Sequence, residues 1–175
     1  MIIKLQEINK KILTKLIKTI FIYPTDTIYG LGCDATNIRL VNKIREIKQR
    51  DNKPFSLIAP SFAWIKQNLI IDVDLDKYLP GLYTLILKKK NPLFLSHVSN
   101  TKYLGIRIPN HPFTKLLQKT GKPIITTSVN LAGQPSANSI SDSKEILDKV
   151  GFVIDAGKLS GKPSTLIKQG EVIER

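Results

Sequence analysis

The chain contains 175 residues, and its 27 Lys and Arg residues outnumber its 14 Asp and Glu residues, which gives a formal net charge of +13. A hydrophobic fraction of 42% excludes an intrinsically disordered chain, and the length suits one domain over residues 1–175. One cysteine and two histidines exclude a disulfide framework and a zinc quartet. Neither a signal peptide nor an apolar run of about 20 residues is present, so we expect a cytoplasmic protein with no membrane contact.

The excess of positive charge favours anionic ligands such as nucleotides and nucleic acids, because it raises their local concentration. Only five of the 27 cationic residues are arginine, and the rest are lysine. A genome that favours Lys, Ile and Asn codons would produce the same excess, with lysines scattered over solvated faces. Composition therefore leaves both explanations open.

In chain order, hydrophobic periodicity and turn residues predict alternating helices and strands. Helices are predicted over 5–20, from an Asn37 cap to residue 47, from residue 60 onward, over 111–120 and over 141–150. Strands are predicted at 20–23, 55–59, 82–87, 103–108, 123–127, 152–154, 165–167 and 172–173. This alternation predicts an α/β fold. The last two strands are too close together for a parallel crossover, so the sheet should be mixed.

Two polar segments in the first third of the chain could carry chemistry. Residues 23–32 place hydroxyls, a carboxylate and two glycines directly after a buried strand, where α/β proteins bind ligands. An ordinary loop in which Thr25 or Asp26 caps the next turn would have the same composition. Further on, Lys48, Arg50 and Lys53 form a dense cluster that suits a polyphosphate, although cations also favour a helix C-terminus.

Two further segments lie in the second half of the chain. Arg107 stands inside an otherwise apolar strand, where its planar guanidinium could bind a carboxylate or could simply face solvent. Residues 126–130 and 133–136 offer small hydroxyls after an apolar strand, as phosphate and sugar contacts require, and as turns also do.

Together these segments resemble the YrdC-like family, the threonylcarbamoyl-AMP synthases. The KxR and SxN elements of the family stand here as Lys48-Gln49-Arg50 and Ser128-Val129-Asn130. Further blocks match in family order at 23–32, 80–87, 106–112 and 163–165. The resemblance implies a YrdC-like α/β fold, with a twisted mixed parallel and antiparallel sheet flanked by helices and a positively charged concave cleft.

The resemblance also implies a reaction in which L-threonine, bicarbonate and ATP give L-threonylcarbamoyladenylate and pyrophosphate, for the t6A37 modification of tRNA. Mg²⁺ would be bound mainly through the ATP phosphates. Lys48 and Arg50 would be catalytic. By family correspondence, the residues that hold L-threonine would be Thr27, Arg107, Thr126 and Ser164. Those on the ATP side would be Arg50, Lys53, Tyr103, Ser128, Asn130, Ser136 and Arg175.

The chain departs from the family at the KxR loop, where Asp51 follows the arginine in place of proline and the loop is one residue shorter. Two other functions stay open at this point. One is a non-catalytic RNA-binding module of the same fold, favoured by the charge. The other is a relative that acts on a different carbamoyl or amino-acid substrate, since a fold does not fix a substrate. We expect contact with tRNA and with the machinery that transfers the product.

Overall fold

The computed structural model describes residues 1–50, 53–131 and 133–174. The strands are β1 (Ile2–Lys4), β2 (Phe21–Tyr23), β3 (Gly30–Gly32), β4 (Ser56–Ile58), β5 (Leu69–Ile70), β6 (Tyr83–Lys89), β7 (Tyr103–Arg107), β8 (Ile124–Ser128), β9 (Phe152–Asp155), β10 (Thr165–Lys168) and β11 (Glu171–Ile173). The α-helices are α1 (Lys10–Leu16), α2 (Ile38–Lys48), α3 (Phe62–Asn68), α4 (Leu75–Tyr78), α5 (Pro112–Gln118) and α6 (Lys144–Leu147). Short 3₁₀ helices cover Leu5–Glu7 and Ile140–Ser143.

The strands form one mixed sheet in the order β1-β9-β2-β3-β8-β4-β7-β6-β10-β11, with β5 added beside β6. The pairs β1–β9, β2–β9, β4–β7 and β6–β10 are parallel, and the others are antiparallel. The last two strands, β10 and β11, pair antiparallel, as their short connection predicts. The prediction of a mixed α/β sheet is confirmed.

Alternation along the strands gives the sheet two different faces. The larger hydrophobic core lies on the back face, where Leu57, Leu85 and Ile106 of the sheet pack against helices α2 and α3. The helices contribute Ile44 and Ile65 to this core. On the front face, a smaller core covers the β1–β9–β2 end of the sheet and extends to Ile124 of β8 and Ile58 of β4. There Phe21 and Tyr23 of β2 and Ile124 of β8 pack against Leu16 of α1 and Phe113 of α5. Beyond this core, the front of β4, β7 and β6 carries the polar residues Ser56, Arg107 and Thr84, and this is where the cleft lies.

Helix boundaries follow the caps that the sequence offers. The Asn37 side chain accepts hydrogen bonds from the backbone N–H groups of Arg39 and Leu40, which starts α2 as predicted. Gln49, with a φ of 49°, ends α2 in the left-handed conformation. The predicted helix over 5–20 is wrong, because Asn9 caps a separate helix, α1, that ends at Leu16. The helix predicted over 141–150 shrinks to the 3₁₀ turn and α6.

Strands β1, β3 and β5 and helix α4 were not predicted, and β3 has the largest effect on the site. It turns residues 23–32 into an antiparallel hairpin with β2 instead of a plain loop. Both its glycines allow close approach: a Cβ at Gly30 would lie 2.8 Å from the Tyr23 ring, and one at Gly32 would lie 2.3 Å from the carbonyl oxygen of Ile125. Within the described residues, no helix is both long and apolar enough to span a bilayer.

Candidate functional site

A polar cleft opens on the front face of the sheet, with a cavity of about 120 Å³. Strands β4, β6, β7 and β8 form its floor, and its walls come from the β2–β3 connection, from the segment after α2 and from the segment before β10. The predicted site residues that the structure brings together around this cavity are Arg50, Arg107, Thr126, Ser128 and Ser164.

Arg107, at the end of β7, is buried and paired with a carboxylate of the chain itself. Its Nη2 donates to Asp26 Oδ1 at 2.6 Å and to the Thr27 hydroxyl at 3.3 Å. The other oxygen of Asp26 accepts the backbone N–H of Asn110 at 2.7 Å. Of the two alternatives left open by the sequence, the structure therefore excludes an arginine that simply faces solvent.

The β2–β3 connection, residues 24–29, is held by its own hydroxyls. Thr25 Oγ1 donates to the Ile28 carbonyl at 2.7 Å and lies 2.8 Å from Thr27 Oγ1. Both residues are buried, and Thr25 lines the cavity whereas Thr27 is outside its lining. Thr27 contacts two lining residues, Thr25 and Arg107, and its contact with L-threonine stays a prediction.

The segment from residue 156 to residue 164, which we call the strap, crosses the front of the sheet from β9 to β10. The Tyr29 hydroxyl donates to the Gly157 carbonyl at 2.7 Å, and the backbone N–H of Gly161 donates to the Thr27 carbonyl at 3.1 Å. The strap delivers Ser164 to the cavity, where its hydroxyl lies 2.7 Å from that of Thr84.

Lys48 connects the KxR and SxN elements. Its ammonium is buried and donates to the Ser128 carbonyl at 2.6 Å, the Asn130 carbonyl at 2.8 Å and Asn130 Oδ1 at 2.9 Å. Burial, and then the positive charge of Arg50, lower its pKa from 10.5 to about 8. Lys48 thus fixes the end of β8, and the phosphate contact expected from the sequence stays a prediction.

The position of Arg50 at the cleft depends on contacts with Phe55 and, indirectly, on Arg45. The Arg50 guanidinium donates to the Pro54 carbonyl at 3.0 Å and lies 5.3 Å from the centre of the Phe55 ring. Arg45 lies 4.5 Å from the same ring centre and donates to the carbonyls of Lys53 and Val98. Phe55 therefore contacts both guanidiniums. Arg45 also holds the Lys53 backbone, next to the Pro54 carbonyl that Arg50 contacts.

Comparison with known proteins shows which family the chain belongs to. The family model Sua5_yciO_yrdC, described as "Telomere recombination", matches residues 17–174. The chain belongs to this family. A protein of Methanocaldococcus jannaschii is 39% identical over 185 residues, which cover 95% of this chain and 86% of that protein. The threonylcarbamoyl-AMP synthase of Pseudoalteromonas translucida is 33% identical over 161 residues, 84% of each chain.

A solved structure of this Sua5/YciO/YrdC family agrees in fold. The crystal structure of P. abyssi Sua5 complexed with L-threonine superposes with a TM-score of 0.82 at 26% identity, over 96% of this chain. The present chain spans 54% of that Sua5 chain, so the two share the fold described above but not their full length. The YrdC-like fold expected from the sequence is confirmed.

The remaining family positions lie outside the lining of the cavity. Lys53 is exposed beyond Arg50, and Tyr103 begins β7 on the face that Arg107 shares, with the Lys168 ammonium 4.6 Å from its ring centre. The Asn130 amide donates to the Gln134 carbonyl at 2.6 Å. Ser136 is half-buried in the loop after β8, and the predicted contact at Arg175 lies outside the described residues.

Ser56 and Thr84 were not singled out from the sequence, and Thr25 and Asp26 were singled out only as part of the candidate segment 23–32. Ser56 and Thr84 are polar residues on the front of β4 and β6, and strand alternation could have found them. Gly105 is needed beside Ser56, because a Cβ there would lie 2.4 Å from the Ser56 hydroxyl. The pairing of Asp26 with Arg107 gives no such signal, because the two residues are 81 positions apart.

Proposed function

We propose that the chain is a threonylcarbamoyl-AMP synthase, which forms L-threonylcarbamoyladenylate and pyrophosphate from L-threonine, bicarbonate and ATP. The observation that carries this proposal is the cleft, in which Arg50 and Ser128 of the KxR and SxN elements share one cavity with Arg107. The named activity of the Pseudoalteromonas relative and the L-threonine complex of P. abyssi Sua5 support the same assignment.

On the threonine side, Arg107 suits the α-carboxylate, because a guanidinium binds a carboxylate with two parallel hydrogen bonds. The hydroxyls of Thr126 and Ser164 border the same cavity and can exchange hydrogen bonds with a small polar ligand. Thr27 contributes through its contact with Arg107.

On the ATP side, Arg50 and Ser128 are the residues that border the cavity. Lys48 acts from behind by holding the Ser128 and Asn130 carbonyls, so its catalytic role is exerted through the shape of the SxN element. The predicted contacts of Lys53, Tyr103, Asn130 and Ser136 would extend this side beyond the cavity, and the predicted contact of Arg175 lies outside the described residues.

The chemistry fits an arginine-rich polar cleft. The threonine amine attacks bicarbonate to give an N-carboxylate and releases hydroxide, which leaves as water after protonation. One carboxylate oxygen then attacks the α-phosphorus of ATP, and the bond to the pyrophosphate oxygen breaks. Two anions must approach each other, and the leaving group gains charge, so the protein's main tasks are positioning and neutralisation.

We propose that Mg²⁺ is bound mainly through phosphate oxygens of ATP. Within the part of the chain that the structure describes, no three His, Cys, Asp or Glu side chains lie close enough together to hold a metal ion. Hydroxyls and phosphates are hard oxygen ligands that suit Mg²⁺. When bound, the ion would neutralise charge on the phosphates.

We further propose that the product is passed to the t6A37 modification machinery of tRNA, and that the chain works in the cytoplasm. A non-catalytic RNA-binding module remains the second candidate, and only the net charge of +13 favours it. Direct contact with tRNA stays a prediction.

The proposed function is tested by measuring pyrophosphate release from ATP while each substrate is omitted in turn. We expect release to require both L-threonine and bicarbonate. Equal ATP turnover without threonine would contradict the proposal. Salt-dependent tRNA binding without any adenylate would favour the RNA-binding module.

A further inference from the structure

We propose that Asp26 is a positioning residue that aims Arg107 and thereby sets the affinity of the cleft for the α-carboxylate of L-threonine. This role rests on the proposed function and adds a residue to its substrate site. Asp26 acts from outside the cavity: the described cavity wall includes Arg107 but not Asp26.

The geometry fixes both oxygens of the Asp26 carboxylate. Oδ1 accepts from Arg107 Nη2 at 2.6 Å, and Oδ2 accepts the backbone N–H of Asn110 at 2.7 Å. The side chains of Asp26 and Arg107 are 9% and 7% exposed, so water competes little for the contact between them. The carboxylate is therefore held between the loop after β2 and the loop after β7, and it cannot rotate without breaking one of these two hydrogen bonds.

The pairing with Asp26 both neutralises the Arg107 guanidinium and sets its orientation. A buried guanidinium is costly unless an anion neutralises it, and Asp26 supplies that anion. A guanidinium is also planar, so it binds a carboxylate through two parallel hydrogen bonds only when the correct edge faces the ligand. By engaging Nη2 at one edge, Asp26 determines which direction the Arg107 plane takes toward the cavity.

A threonine carboxylate would therefore share one guanidinium with Asp26. Arg50 and Ser128, on the ATP side, are held by other groups, the Pro54 carbonyl and the Asn130 side chain. Loss of the Asp26 carboxylate should consequently weaken threonine binding and leave ATP binding nearly unchanged. Loss of a residue that only stabilises the fold would change the KM values for both substrates or for neither.

The test measures adenylate formation at varied L-threonine and then at varied ATP, for the wild type, Asp26→Asn and Asp26→Glu. Asp26→Asn removes the charge and one of the two acceptors, while Asp26→Glu keeps the charge but shifts it by one methylene. Asp34→Asn is the matched control, because Asp34 is another buried carboxylate, with Lys122 at 3.3 Å, away from the cavity lining.

For Asp26→Asn we expect the KM for threonine to rise about tenfold or more, the ratio that corresponds to about 1.4 kcal/mol of binding energy. The KM for ATP should stay within about threefold of the wild-type value, less than that tenfold step. Asp34→Asn should change neither KM. A wild type that forms no adenylate would overturn the proposed function itself.

An active wild type combined with an unchanged threonine KM in Asp26→Asn, or with an equal rise in both KM values, would overturn the positioning role alone. If Asp26→Asn does not fold, Asp26→Glu is judged by the same two outcomes. Thermal melting of every variant identifies the folded ones before kinetics are compared.

Discussion

Lys48 holds Asn130 by two hydrogen bonds, from its ammonium to the Asn130 backbone carbonyl at 2.8 Å and to Oδ1 at 2.9 Å. The lysine of the KxR element therefore shapes the SxN element directly. Two motifs separated by 80 residues in the sequence form one unit in the structure.

Replacing this lysine tests the unit. In Lys48→Met, a side chain of similar length leaves three acceptors without the ammonium, so the SxN element loses its anchor. We expect kcat/KM to fall on the order of a hundredfold, as for loss of one preorganised electrostatic contact. Lys43→Met, at an exposed position of the same helix, is the control and should keep wild-type kinetics. Normal turnover in Lys48→Met would contradict this role.

The pKa of Lys48 predicts opposite trends for activity and stability with pH. With a pKa of about 8, the group loses one of three donors as pH rises through that value, so activity should decline there. In the unfolded chain its pKa is near 10.5, so between the two values the unfolded state binds more protons. The contribution of Lys48 to the free energy of unfolding should therefore be least favourable below about pH 8 and rise toward about pH 10.

The measurement compares the wild type with Lys48→Met by pH–rate profiles and by urea unfolding at about pH 7 and about pH 10, on either side of the pKa shift. The stability difference between wild type and variant should shift in favour of the wild type at the higher pH. A shift in the other direction would show that the buried lysine is not destabilised in its charged form.

Arg45 should influence the KM for ATP by holding Arg50 in position. Arg45→Lys keeps the charge but loses the planar contact with Phe55 and the fork that donates to Lys53 and Val98. We expect the KM for ATP to rise several-fold, about 1 kcal/mol, with the threonine KM nearly constant. Arg39→Lys, at an exposed arginine of the same helix, controls for the substitution. Kinetics of Arg45→Lys that match those of Arg39→Lys would show that Arg45 does not position Arg50.

Gly161 allows the strap to lie against the β2–β3 connection. A Cβ there would lie 2.3 Å from the Thr27 carbonyl oxygen and 2.5 Å from its Cα, and backbone atoms cannot yield easily. Gly161→Ala should therefore displace Ser164 and raise the threonine KM by about tenfold, or about 1.4 kcal/mol. Ser160→Ala, at an exposed strap residue, should be neutral. Wild-type threonine kinetics in Gly161→Ala would show that the strap does not shape the site.

The hydroxyls of Thr84 and Ser164 should be energetically coupled, because they lie 2.7 Å apart and both residues are buried. Thr84→Val or Ser164→Ala alone takes one buried partner from the other hydroxyl, which costs about 1–3 kcal/mol. The double variant should cost less than the sum of the two single variants. Urea unfolding of all four proteins measures this cycle, and strict additivity would contradict the coupling.

The sequence predicted those parts of the fold that depend on local signals. The Asn37 cap, the apolar spacing of α2 and the alternation of β7 each lie within about 11 residues, the window over which periodicity is reliable. The helix over 5–20 failed because Asn9 interrupts a continuous apolar pattern with a cap. Strand β3 was missed because glycine has low strand propensity, and the strand depends on its antiparallel pairing with β2 and β8.

The site was predictable as a set of residues but not as a set of contacts. The sequence left open whether Arg107 binds a carboxylate or faces solvent, and in the structure its partner is Asp26, on a loop that the sheet brings beside it. Lys48 was expected at a phosphate, yet α2 directs it toward the end of β8. Both pairings depend on strand order, which no local pattern contains.

The central claim is that one cleft joins threonine, bicarbonate and ATP. Its most direct test is mass spectrometry of the nucleotide product formed from carbon-13-labelled bicarbonate, L-threonine and ATP. We predict an adenylate that carries both the label and the threonyl group, and an Arg107→Lys variant that forms much less of it at low threonine. AMP or ADP without any labelled adenylate would contradict the claim.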